Sequence, residues 1–379
     1  MNELKTLLYI LGCTLNGEKP RTDLNIKKIY DLAVNQGIWH IIYEPLEKHY
    51  NLSEYKIRFL TTVSKSISAN EFSYDTIKKL ESEGISCCYL KGITVARLYP
   101  TPDCRISSDT DILIKPENQE RTIDILKSLG YSIGEIKENF HHFQATHPKG
   151  RLLEVHTMMY AKPTRDIVLG GEDLYNEQYI EVKTSVGTVK TLGINDGLIY
   201  LTVHFIKHFL SANSNLRQMT DLLLYMKHYY DEIDWERYNS LLKKLNYDKL
   251  IDGIKEIGNI YFSMKFDVEN TGYSDAILLT FSEADKDVYY EFCSAKTDLN
   301  KIEYINYINN NSLKGSAIKR IFPSKIVMHN MGYKTDTLFN LLVSYLKRIL
   351  YLIKRTLKKE KKKANSEKME LLKKLGMIE

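Results

Sequence analysis

The sequence is poor in three things, and each shortage excludes something. It has only five cysteines (Cys13, Cys87, Cys88, Cys104 and Cys293), an odd number, with no CxxC pair and no Cys/His ligand spacing. That argues against a disulfide framework or a structural zinc site and fits a reducing compartment. No apolar run reaches the ~20 residues that span a bilayer. The N-terminal MNELKTLLYILGC ends an apolar run at Cys13, but Glu3 interrupts the charged region and the run is short. It reads as an amphipathic helix rather than a lipoprotein signal, and a cytoplasmic protein is the expectation. The third shortage is charge excess where it would count. The net charge is +5, but residues 354–379 hold ten Lys/Arg against four Glu, which leaves residues 1–353 at −1. A body that bound double-stranded nucleic acid would carry a broad positive surface, so none is expected as a partner.

What is present is ordinary for a soluble chain: 43% hydrophobic and 27% charged residues over 379 positions. That length allows roughly two or three domains. Residues 1–83 read as helical, with Leu4, Leu7, Leu8 and Leu11 at helical spacing, short helices over 26–34 and 38–50, and a long one over 55–82. From residue 84 the texture changes. Apolar Ile85 to Leu90 suits a strand, Gly92 opens a short helix to Tyr99, and Ser107 to Ile114 alternates. A helix follows Pro116, then strands over 131–137, 140–146 and 151–158, and a hairpin from Gln178 to Leu192 turning near Ser185. Residues 195–335 return to helices, over 196–209, 216–230, 235–245 and 250–262, with a polar stretch at 264–320. Residues 336–379 form an amphipathic helix, Leu338 to Lys359, running into the basic tail. The predicted class is α+β: a mixed sheet with helices over 84–194, flanked by N-terminal and C-terminal helical regions.

The informative stretch is Arg105-Ile-Ser-Ser-Asp109-Thr-Asp111-Ile-Leu-Ile114. Alternate residues of a strand face one side, so Asp109 and Asp111 project together. Two adjacent carboxylates repel unless a cation lies between them, and such pairs hold Mg²⁺ with open positions for phosphates. Upstream, Lys91-Gly92 stands between a strand and a helix, where backbone can approach phosphate and lysine adds a cation. Downstream, Leu152-Leu-Glu154-Val-His156 places Glu154 and His156 on one strand face.

Taken together, Leu90-Lys91-Gly92, Tyr99-Pro100, Arg105, Asp109-Thr-Asp111, the run Leu126 to Tyr131 and Leu153 to His156 resemble the uncharacterised nucleotidyltransferases of the DNA polymerase β superfamily. The resemblance is specific over roughly residues 85–160, and Phe322-Pro323-Ser324 adds to it. It implies a polymerase β-like nucleotidyltransferase core in which two Asp and a third acid on a neighbouring strand bind Mg²⁺ (or Mn²⁺) and the NTP. Those roles fall on Asp109, Asp111 and Glu154, as metal ligands and catalytic residues. Better-known members carry Gly-Gly or Gly-Ser before the short helix; here Lys91-Gly92 takes that place.

The reading that follows is a Mg²⁺-dependent nucleotidyltransferase acting on an NTP and an unidentified acceptor hydroxyl or phosphate. Lys91, Gly92 and Arg105 are expected to hold the triphosphate, with His156 and Tyr99 at a substrate pocket. The alternative is a catalytically inactive nucleotide-binding or regulatory module, membrane-surface associated through its C-terminal helix. His204 and His208 share a helical face, and packing is preferred over metal binding because no glutamate of an HExxH pattern lies between them. Arg217 and Asp221, four apart on one helical face, read either as an i,i+4 ion pair or as the lining of an acceptor pocket. For the C-terminal helix, docking on the body is preferred over weak contact with an anionic membrane surface.

Overall fold

A computed structural model describes residues 2–21, 23–134, 136, 142–160, 179–210, 215–270 and 272–282, with isolated positions between 340 and 375. Phe322-Pro323-Ser324, the lysine run 358–363 and most of the C-terminal amphipathic helix lie outside the described residues.

Four helices come first: α1 (Asn2–Asn16), α2 (Ile26–Asn35), α3 (Trp39–Glu47) and α4 (Ser53–Ser82). The α+β core then supplies β1 (Cys88–Tyr89), α5 (Ile93–Ala96), β2 (Asp109–Leu113), α6 (Gln119–Ser128), β3 (Ser132–Ile133), β4 (His142–Thr146), β5 (Leu152–His156), β6 (Tyr179–Thr184) and β7 (Gly187–Leu192). Further helices follow among the described residues: α7 (Ile194–Leu210), α8 (Leu216–His228), α9 (Trp235–Lys244), α10 (Asp248–Phe262) and α11 (Ser274–Ser282). The predicted mixed sheet with helices is the architecture found. Among the described residues its seven strands run β3-β4-β5-β2-β1-β7-β6. β2 is parallel to β5, β1 is parallel to β7, and the other pairs are antiparallel.

Two elements differ from expectation for local reasons. The strand expected over Ile85 to Leu90 pairs only at Cys88–Tyr89. Gly84 has φ +81°, and the Ile85 N–H donates to Leu80 O at 3.1 Å. Ile85 therefore closes the end of α4 in a Schellman-type cap and is not free to enter the sheet. The polar stretch after residue 264 contains α11, which the sequence pattern did not single out. Its Ile277, Leu278 and Phe281 are buried at helical spacing.

The sheet covers its two faces differently. On one face Tyr89, Ile112, Ile114, Phe143, Leu153 and Val155 pack with Ile77 and Leu80 of α4 and with Ile123 and Leu126 of α6. The N-terminal and C-terminal helical regions merge into one core, in which Leu7, Leu8 and Leu11 join Phe205, Leu222, Ile254 and Phe262. The long helix α4 bridges the two. Phe59, near its start, stacks on Tyr43 with ring centroids 4.0 Å apart, while Ile77 and Leu80 reach the sheet. A 30-residue helix is about 45 Å long, enough for that span. Among the described residues no helix is long and apolar enough to cross a membrane.

α1 crosses α10 so closely that a Cβ at Gly12 would stand 2.0 Å from the Tyr261 carbonyl oxygen. Gly12→Ala therefore forces the helices apart and is expected to lower stability by about 1–3 kcal/mol, as for other overpacked sites. A urea unfolding series would read this as a lower midpoint at unchanged slope.

Candidate active site

The geometry begins with strand alternation. Asp109, Asp111 and Leu113 face one side of β2, and Thr110 and Ile112 the other. The parallel register sets Asp109 beside Leu152, Asp111 beside Glu154 and Leu113 beside His156. Asp111 is 1% exposed and His156 4%. One donor atom from each of Asp111, Glu154 and His156 lies within 4.8 Å of the others. His156 Nε2 is 3.4 Å from Asp111 Oδ1. On β4, Gln144 stands opposite Glu154 and donates to its Oε1 at 2.9 Å.

Asp109 is placed differently. The antiparallel β1–β2 pairing and the Leu90 N–H to Asp111 O bond of 3.0 Å bring Lys91 out beside the two aspartates. Lys91 Nζ lies 3.0 Å from Asp109 Oδ2 and 2.5 Å from Asp111 Oδ2. Ser107 Oγ donates to Asp109 Oδ1 at 2.7 Å. The sequence-predicted acids thus share one face, but the three donors that converge are Asp111, Glu154 and His156. Lys91 occupies the space between Asp109 and Asp111.

Burial alone would lift the Asp111 carboxyl, but Lys91 and His156 hold it well below the usual carboxylate range. Asp109 is likewise held below its ordinary value against burial, chiefly by Lys91. Burial opposes the Lys91 charge, yet Asp111 and Asp109 raise its pKa. Glu154 moves the other way: burial, and then the Asp111 charge, raise it. Two carboxyls on one face are pushed in opposite directions, as at sites that divide acid and base roles.

Gly92 has φ +77° and ψ −111°, a conformation reserved for glycine, while a Cβ there would meet nothing within 4 Å. Backbone conformation rather than space requires glycine at this turn, and the open side borders a small pocket. Asn70, Lys91, Gly92, Arg105, Asp109 and Arg151 are among its walls.

Arg105, expected on the triphosphate, is largely committed elsewhere. Its Nε and Nη2 reach Asp221 Oδ1 and Oδ2 at 3.0 and 2.5 Å. Tyr99, expected at the substrate pocket, is 3% exposed and donates to Asp221 Oδ1 at 2.7 Å. Asp221 therefore receives Arg105 and Tyr99 rather than Arg217, whose Nη1 donates to Ile106 O. An Asn215/Gln218 capping box starts α8 and fixes the turn that carries Arg217 and Asp221. His204 and His208 pack ring against ring at 4.5 Å, and burial, followed by the His208 and Lys91 charges, pushes His204 well below its ordinary pKa.

No sequence motif marks Arg151, the residue before β5. It is 8% exposed. Burial, with the Arg105 charge behind it, lowers its pKa to about 10, still protonated at neutral pH.

The family of uncharacterised nucleotidyltransferases matches residues 22–254. The chain belongs to that family. The matched span holds every residue of the site just described, from Asn70 through Glu154 to Asp221. Among solved structures, an antigenic nucleotidyltransferase-like protein from Paracoccidioides brasiliensis is similar at 13% identity and a TM-score of 0.30, over 56% of this chain and 96% of its own. No functionally curated protein matches the chain.

The Lys91 pairing is testable through stability. The lowered Asp109 and Asp111 stabilise the fold above the ordinary carboxylate pKa and lose that contribution on acidification; the raised Lys91 contributes below its ordinary pKa and loses it in alkali. The contribution of these three groups is thus level between about pH 4 and pH 10, whereas the raised Glu154 loses its contribution as pH rises from its ordinary pKa through the folded one. At pH 7, Lys91→Met leaves buried carboxylates without their cation and is expected to cost about 3–5 kcal/mol. Thermal melts should show Mn²⁺ restoring more stability to Lys91→Met than to wild type.

Proposed function

We propose that this nucleotidyltransferase-family chain is an active, divalent-metal-dependent enzyme that transfers a nucleoside monophosphate from an NTP to an acceptor hydroxyl or phosphate, releasing pyrophosphate. The convergence of Asp111, Glu154 and His156 within 4.8 Å carries this reading. Two carboxylate oxygens and an imidazole nitrogen on one face suit a single divalent cation; the carboxylates suit Mg²⁺ or Mn²⁺, and the imidazole favours a transition metal such as Mn²⁺ over Mg²⁺. Asp111 and Glu154 would hold the ion, with His156 as third donor and Asp109 at the rim. When bound, such an ion supplies charge neutralisation at the α-phosphate and lowers the pKa of an attacking hydroxyl.

The chain's own groups do the rest. Gln144 fixes the Glu154 carboxyl by its hydrogen bond to Oε1. Besides holding the ion, Glu154 is the carboxylate proposed to take the acceptor's proton. Lys91 neutralises the aspartates before substrate arrives, and its amine lies beside the Gly92 turn. An incoming phosphate offers it a second anionic partner.

The same lysine favours a second reading. A cation already seated between Asp109 and Asp111 is what a non-catalytic nucleotide-binding module would keep in place of a metal. The C-terminal basic helix remains proposed to dock on the body or touch an anionic membrane surface.

Full-length protein, α-labelled NTPs and Mn²⁺ or Mg²⁺, with cell extract as the acceptor source, separate the two. Label transfer abolished by EDTA is expected, with Asp111→Asn reduced about a hundredfold or more, since a lost ligand removes several kcal/mol of charge stabilisation. If Asp111→Asn binds Mn²⁺ and NTP as tightly as wild type, the metal-site assignment is wrong.

A further inference from the structure

The pocket beside Gly92 holds a cation that nothing in the proposed metal site uses. Arg151 is more than nine-tenths buried, yet every hydrogen-bond partner of its side chain is neutral. Its Nε donates to Asn70 Oδ1 at 2.5 Å, and its Nη2 donates to Ser66 O at 3.3 Å and to Ser66 Oγ. All three partners belong to α4. The residue's own N–H donates to Ser73 Oγ at 3.3 Å. The guanidinium is therefore held rigidly in place with no carboxylate paired to it among the described residues.

A second observation concerns another residue of the same pocket wall. Arg105 spends Nε and Nη2 on Asp221, but its Nη1 is buried with no hydrogen-bond partner among the described residues. The charged side chains on the pocket wall are Lys91, Arg105, Arg151 and Asp109; Lys91 is paired with Asp109 and Asp111 and Arg105 with Asp221, which leaves Arg151 as the wall cation without a carboxylate among the described residues. The Asp109 carboxylate is already engaged by Lys91 and Ser107. Burying a cation without a counter-charge costs several kcal/mol, so such an arrangement is explained by an anion that completes it. A planar, pre-oriented guanidinium fork matches phosphate oxygens two at a time.

We propose that Arg151, positioned by Ser66 and Asn70 of α4 and assisted by Arg105 Nη1, forms a phosphate subsite next to the Gly92 turn. The chemistry fits either the polyphosphate tail of the nucleotide or a phosphate carried by the acceptor. Assignment to one of these rests on the nucleotidyl-transfer reading; the phosphate subsite itself does not. The N-terminal helical region thereby contributes to the site through α4, and Arg151 shares the phosphate-facing role expected of Arg105.

The test is calorimetric titration of the full chain, in EDTA, with inorganic tripolyphosphate, orthophosphate, ATP and adenosine. Arg151→Gln is expected to weaken tripolyphosphate binding about tenfold or more, the usual size of a lost charged hydrogen bond. Arg151→Lys, which keeps the charge but loses the fork, should fall between. If ATP weakens in parallel and adenosine does not, the nucleotide tail is the occupant. If orthophosphate and tripolyphosphate weaken and ATP does not, the occupant is an acceptor phosphate. Should Arg151→Gln fail to fold, the melting temperature of wild type decides, because tripolyphosphate must raise it in the absence of metal. No such rise, or unchanged affinity in both Arg151 variants, overturns the proposal. None of these titrations needs metal or turnover, so the subsite can fail while Asp111-dependent transfer stands, and the reverse.

Discussion

Two carboxylates forced onto one face of a buried strand set the terms for everything around them. Alternation puts Asp109 and Asp111 together, and burial removes the water that would otherwise screen their repulsion. The surroundings read as responses to that constraint. Lys91 bridges the pair, His156 reaches Asp111, Ser107 donates to Asp109, and Gln144 steadies the third acid across the sheet. A fold that concentrates negative charge in this way spends stability on it, which is common where a cation or a phosphate-bearing ligand is part of the working state.

The second dependency joins this sheet to the helices. Asp221 of α8 collects Arg105 and Tyr99 from the segment just before β2, and Arg217 closes on Ile106 O. Gln36, 3% exposed, donates to Phe281 O at 2.8 Å and accepts from the Leu216 N–H at 2.9 Å, tying the end of α2 to the start of α8 and the end of α11. The site is thus braced from behind by polar contacts whose partners are far apart in sequence. Such buried networks hold one geometry well because each missing partner is costly.

Much of this could be read from the chain. The DxD alternation, the Lys91-Gly92 turn and the Glu154/His156 face depend on period-two geometry and on residue chemistry within a few positions. The long helix through Ser82 and the hairpin of β6 and β7 were equally local. Other features left no local trace. Arg151 lies on no motif, and its importance comes from two α4 residues more than 80 positions away. Asp221 looked like a partner for Arg217 because both lie on one helical face, but Arg105 wins it with a two-pronged ion pair. The polar stretch holding α11 gave a weak periodic signal, and its apolar residues matter only against α10 and the shared helical core.

By itself, then, the sequence determined the α+β class, the strand that carries the acids and the family to which the chain belongs. These rest on short-range rules: side-chain alternation, glycine conformations and a compact set of motifs. Only the tertiary structure decided which acids converge, that Lys91 sits between Asp109 and Asp111, and that Arg151 joins Arg105 on the pocket wall while Arg105 pairs with Asp221. The reason is electrostatic. A buried charge takes whichever counter-charge the fold brings within a few ångströms, and that partner is chosen by strand register and helix packing rather than by distance along the chain.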